Sequence, residues 1–107
     1  MSLQHVVLFR FPEPLDDAQA GEMRALVQEW PDRIGGFERL RFGTDLSDGA
    51  RARGYQFLLL TEHPDQAALT AYQQHPVHLA FGDWVYSRGC EVIAFDYQLG
   101  PDTVLIS

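Results

Sequence analysis

The sequence predicts a ferredoxin-like α+β domain: a four-stranded antiparallel sheet with both helices on one face, in the order β-α-β-β-α-β. Three observations lead there. Alternating, largely apolar segments occur at the start, in the middle and near the end of the chain. Two stretches with helical spacing separate them, and proline and glycine punctuate the boundaries. With 107 residues the chain fits one domain over 1–107, its core expected at about residues 3–97 with a tail from 98.

The first strand is expected from about Leu3 to Phe11. Alternation puts Leu3, His5, Val7, Phe9 and Phe11 on one face and Gln4, Val6, Leu8 and Arg10 on the other. Both faces carry apolar residues, and Pro12 and Pro14 end the strand. A helix follows from about Asp16 to Trp30, opened by an Asp16/Gln19 capping pattern and striped by Met23, Leu26, Val27 and Trp30. Pro31 and Gly35-Gly36 close it. Phe37 to Gly43 reads as the second strand, and Asp45 to Gly54 as a polar loop.

Tyr55 to Thr61 is the third strand, again apolar on both sides. Pro64 is placed as a first helical residue, and Ala68, Leu69 and Tyr72 give that helix its face. Pro76 interrupts it after His75, because the residue before a proline is pushed out of the helical region. A further helical stretch spans Pro76 to Tyr86, with Val77, His78, Phe81 and Val85 at compatible spacing, and the last strand is about Cys90 to Tyr97. The tail ends in Val104-Leu105-Ile106, apolar enough to require a docking surface.

Composition excludes several functions. Fifteen acidic residues against eight basic ones give a net charge of −7. Such a chain is a poor partner for nucleic-acid phosphates, which bind through Lys and Arg. All eight basic residues are Arg, so lysine Schiff-base chemistry is absent. No apolar run reaches the roughly 20 residues of a membrane span, and no leader pattern opens the chain. A cytoplasmic location is expected, with the single Cys90 as a buried, reduced thiol.

Helices can cover only one face of the sheet, yet the strands are apolar on both. A homodimer packed through the second face would resolve this, since a two-fold pair buries the same patch twice.

Among polar residues, His78 has the strongest claim to chemistry. Its unperturbed pKa of about 6.5 suits proton transfer near neutrality. It shares a helical face with Phe81 and Val85, so it points to the sheet. Asp96, an acid inside an apolar strand, is costly without a partner and is expected to orient the His78 ring. The alternative is a structural histidine tying helix to sheet. His5 is either a pocket or a core residue, Tyr72 a core tyrosine or a pocket hydroxyl, and His75 a helix cap. His63 is assigned to the surface. No metal site is expected: Pro76 spoils the spacing of His75 and His78 as ligands.

The strand opening Gln4-His5-Val6-Val7-Leu8-Phe9, the Gly54-Tyr55 strand start, Tyr72-Gln73-Gln74-His75-Pro76-Val77-His78-Leu79-Ala80-Phe81 and the closing Ile93-Ala94-Phe95-Asp96-Tyr97 carry a resemblance. They resemble the stress-responsive A/B barrel, or Dabb, family over nearly the whole chain. The resemblance implies a dimeric α+β barrel. It also implies an activity known in that family: aldol closure of a polyketide thioester without metal or organic cofactor. Carried over, His78 is the acid/base residue with Tyr72 beside it, Asp96 orients the imidazole, and His5 lines the pocket with Phe57, Leu59 and Phe81. Phe57 and Val27 stand where the family's plant polyketide cyclase has histidine and tyrosine, which leaves the substrate open.

Two functions are therefore expected to compete. One is a cofactor-independent acid/base enzyme acting on a small apolar or carbonyl compound. The other is a non-catalytic, stress-related or ligand-binding dimer whose histidines serve structure.

Overall fold

The computed structural model describes residues 2–106; Ser107, the last residue of the expected tail, lies outside them. The strands are β1 (Leu3–Arg10), β2 (Arg39–Thr44), β3 (Tyr55–His63) and β4 (Glu91–Gln98), all antiparallel in the spatial order β2-β3-β1-β4. The helices are α1 (Asp17–Gln28), α2 (Trp30–Arg33), α3 (Gln66–Gln74) and α4 (Pro76–Tyr86). This is the ferredoxin-like α+β arrangement that the element order predicts.

Local chemistry sets most boundaries. Asp16 accepts from the Gln19 backbone N–H at 2.8 Å while the Gln19 side chain accepts from the Asp16 N–H at 3.1 Å, so the capping box forms. The expected single helix to Trp30 is instead α1 followed by the one-turn α2. Pro31 lacks the N–H that would continue the ladder. β3 runs two residues past Thr61, because His63 still pairs with Leu3 of β1. Pro64 lies before α3 rather than in it; Asp65 is the cap and accepts from the Ala68 N–H at 2.8 Å. After α4, Gly89 (φ +74°) turns the chain into β4.

The core lies between the helices and one sheet face. Val7 and Phe9 from β1 and Phe57 and Leu59 from β3 meet Met23, Val27, Trp30, Leu69, Tyr72, Phe81 and Val85. Trp30 anchors it, with ring centroids 5.0 Å from Phe81 and 5.7 Å from Tyr72. Cys90 is buried, as expected, and burial pushes its thiol up to about 11.

The opposite sheet face carries Val6, Leu8, Leu58, Leu60, Ile93 and Phe95, with Ile93 46% and Phe95 64% exposed. Val104, Leu105 and Ile106 are exposed as well. Among the described residues no helix is long and apolar enough to cross a membrane.

Candidate active site

The break between α3 and α4 builds the site. His75 is held extended (φ −64°, ψ 135°) ahead of Pro76, and its Nδ1 accepts from the Val77 N–H at 3.1 Å. It therefore caps α4, as the sequence suggests. The chain changes direction here, which stacks the first turn of α4 on the last turn of α3. The rings of Tyr72 and His78 lie 4.6 Å apart as a result.

The sheet supplies the facing side. In the β1–β4 register His5 stands directly opposite Asp96, so both side chains emerge on the helix side. His5 Nδ1 is hydrogen-bonded to Asp96 Oδ1. The His5 side chain is buried, whereas that of Asp96 reaches solvent. Asp96 thus orients His5 and not His78, which corrects the expected pairing. Register decides this, because the β1–β4 pairing sets His5 directly opposite Asp96.

Between sheet and α4 lies a cavity of about 190 Å³. His5, His78 and Tyr86 are its titratable groups, and Leu59, Phe81, Val85 and Val92 give it apolar walls. Of the expected pocket residues, His5, Leu59 and Phe81 line it. Phe57 does not. It packs against Phe42 (5.6 Å) and Phe11 (6.2 Å) nearer the other end of β3, two residues along the same inward face from Leu59. A larger hollow of about 460 Å³ lies under the β2–β3 loop, lined by Leu8, Leu58 and Ile93 of the opposite sheet face. It lies away from the histidines.

Tyr72 sits behind His78 instead of on the cavity wall. It is 3% exposed, and its hydroxyl completes no hydrogen bond. Burial drives its ionisation well above the ordinary value, and the nearby Thr61 hydroxyl pulls it partly back. His78 Nδ1 is also buried and unpartnered. Burial holds the His78 pKa below 6.5, the proximity of His5 adds to this, and the Gln73 carbonyl opposes it. His78 is therefore a neutral imidazole at pH 7, able to accept a proton.

The sequence reading missed His63. It is fully buried (0% exposed), with its ring 4.8 Å from Tyr72 and Nε2 2.8 Å from Thr61 Oγ1. The signal was available in the alternation Phe57, Leu59, Thr61, His63, which continues the inward face of β3. Among the described residues no group of three or more His, Cys, Asp or Glu side chains is arranged to hold a metal ion.

The family model of the stress-responsive A/B barrel domain matches residues 3–99. The chain belongs to this family. The chain is similar to olivetolic acid cyclase from Cannabis sativa, 23% identical over 97 residues that cover 91% of this chain and 96% of the cyclase. A hydroxynitrile lyase from Passiflora edulis superposes with a TM-score of 0.80 at 18% identity, covering 96% of this chain and 97% of the lyase. A dimeric ferredoxin-like protein of unknown function from Thermobifida fusca superposes with a TM-score of 0.79 at 24% identity, covering 92% of both chains. These superpositions show a shared fold, and one fold can host different chemistries.

Proposed function

We propose that this protein is a homodimeric, cofactor-independent acid/base catalyst acting on a small, largely apolar carbonyl compound of the polyketide type. One observation carries the reading. A neutral, half-buried His78 and an Asp96-oriented His5 share a largely apolar cavity of about 190 Å³. The names of the cyclase and lyase relatives are consistent with chemistry at such a site.

In this reading His78 removes a proton from the carbon next to a carbonyl, and the C–H electron pair moves onto the carbonyl oxygen to give an enolate. The enolate carbon then attacks a second carbonyl of the same molecule, forming a C–C bond. The resulting alkoxide takes the proton back from the His78 imidazolium. Tyr72, off the cavity wall and directly behind His78, packs against that ring and sets where it stands. The Asp96 carboxylate holds the His5 Nδ1–H, which makes Nε2 the basic atom of that ring.

A 3-oxo thioester in deuterated water tests this by proton NMR. The protein is expected to accelerate exchange at the carbon between the carbonyls, and His78→Ala to slow it by about a hundredfold or more. Binding of the thioester without accelerated exchange would favour the ligand-binding alternative.

The dimer is proposed on the exposed Leu58, Ile93 and Phe95 of the open sheet face, with the Val104–Ile106 segment docking on the partner. The dimeric Thermobifida fusca neighbour supports it. Sedimentation of a single monomeric species at micromolar concentration would refute it.

A further inference from the structure

The cavity beside His78 is polar at one end and apolar at the other, and two elements set that direction independently. Along the β1–β4 register the inward pairs run His5–Asp96, Val7–Ala94 and Phe9–Val92, from a titratable pair to an apolar one. Along α4 the cavity is lined by His78, Gly82 and Tyr86, which succeed one another at four-residue spacing on one helix face. Phe81 meets Phe9 with ring centroids 5.9 Å apart. β1 and α4 therefore lead away from the histidines together, and Tyr86 falls at the apolar end. At a rise of about 1.5 Å per residue, Tyr86 lies about 12 Å along the helix axis from His78.

Gly82 stands between them in the interior of α4, where glycine gives up more backbone freedom than alanine and weakens the helix. Packing does not demand it. A Cβ built on Gly82 would meet no atom outside the local helix backbone nearer than the Tyr86 ring at 3.8 Å, an ordinary van der Waals contact. The missing side chain instead leaves a bare strip of cavity wall between His78 and Tyr86. Helical side chains lean toward the N-terminus, so the Tyr86 ring covers the far end of that strip. Tyr86 is 60% exposed and still lines the cavity, which puts it at the mouth.

We propose that Tyr86 is a specificity-determining residue: its ring closes the apolar end of the cavity, and the bare backbone at Gly82 makes room for an unbranched alkyl chain between that ring and a carbonyl held at His5 and His78. The substrate class narrows accordingly, to carbonyl compounds whose apolar chain reaches no further than Tyr86. One methylene in an apolar pocket is worth roughly ten- to two-hundredfold in discrimination, so the position of this stop decides which chain lengths enter. The inference rests on the acid/base reading of the site for where the carbonyl sits.

The test uses the full chain and unbranched methyl ketones from butanone to decanone, which carry one carbonyl and so cannot close on themselves. Titration followed by the nitrogen-15 resonances of His5 and His78 gives the affinity for each length. In the unmodified protein affinity is expected to rise with length and to fall once the chain passes Tyr86. Tyr86→Ala, at an exposed position, is expected to raise the affinity ratio of decanone to butanone by about tenfold or more. Gly82→Ala is expected to lower the ratio of the best-bound ketone to butanone by about tenfold. It should also raise the urea midpoint, because alanine improves the helix and crowds nothing. An unchanged ratio in Tyr86→Ala would overturn the proposal. So would a Gly82→Ala protein whose urea midpoint fails to rise, since that glycine would then serve packing. Length selection among the ketones in a protein that leaves the 3-oxo thioester unexchanged removes the proposed reaction and keeps the stop at Tyr86. A thioester that exchanges in a protein with a flat ketone profile removes the stop alone.

Discussion

His63 and His78 both bind protons more weakly than a solvated histidine, first because burial strips water from the imidazolium and then because His5 stands nearby. Around His63 the charged or titratable neighbours are His5 from β1, Asp96 from β4, Glu38 beside β2 and Tyr72 from α3. Asp96 and Glu38 favour the proton but do not outweigh burial. Both folded pKa values lie below 6.5, so the unfolded chain binds more protons as pH falls through that value. Stability is therefore expected to drop from about pH 7 down to the folded pKa values, and to be flat with respect to these groups above pH 7. His63→Phe should remove its share of the slope, at most about 1.4 kcal/mol per pH unit. Urea midpoints at pH 7 and pH 5 for the two proteins check this; equal slopes would place the His63 shift in error.

At the scale of elements, the α3–α4 break sets how Tyr72 and His78 meet. A continuous helix from Gln66 to Tyr86 would fix the angular relation of residues 72 and 78 by its own pitch. The break at His75-Pro76 frees it. His75→Ala removes the acceptor for the Val77 N–H and is expected to cost about 1 kcal/mol, as helix N-caps do. Asp16→Ala, which opens the capping box of α1, should cost about the same. The two differ in reach: the imidazole resonances of His78 should shift in His75→Ala and stay in place in Asp16→Ala. Denaturant titration with histidine NMR on both variants measures cost and reach together.

The whole molecule is a sheet with one filled face and one open face. Phe95 and Ile93 of β4 and Leu58 of β3 stand on the open side, and burying each large apolar side chain contributes about 1.5–3 kcal/mol. A two-fold pair counts every such residue twice. Phe95→Glu would place two carboxylates in that interface. The substitution is expected to give monomers by sedimentation while circular dichroism keeps the sheet signal. A dimer that survives it would place the interface elsewhere.

The sequence by itself determined the element order, the capping box at Asp16, the helix break at Pro76 and the two-sided apolar strands. Each follows from residues a few positions apart, acting through backbone geometry and side-chain period. It also singled out His5 and His78, because a polar residue on an apolar face stands out against its neighbours. Only the tertiary structure decided which side chains meet. Asp96 belongs to His5 because β1 and β4 pair in one register, a choice made between segments some ninety residues apart. Phe57 leaves the cavity wall for the Phe11 and Phe42 cluster because the site occupies only part of the inward face of β3. His63 becomes a core residue because β3 keeps pairing with β1 to its last residue and Phe37 and Tyr72 close over it. Alternation states which face a residue takes, but burial depends on what packs against that face, and this comes from distant parts of the chain.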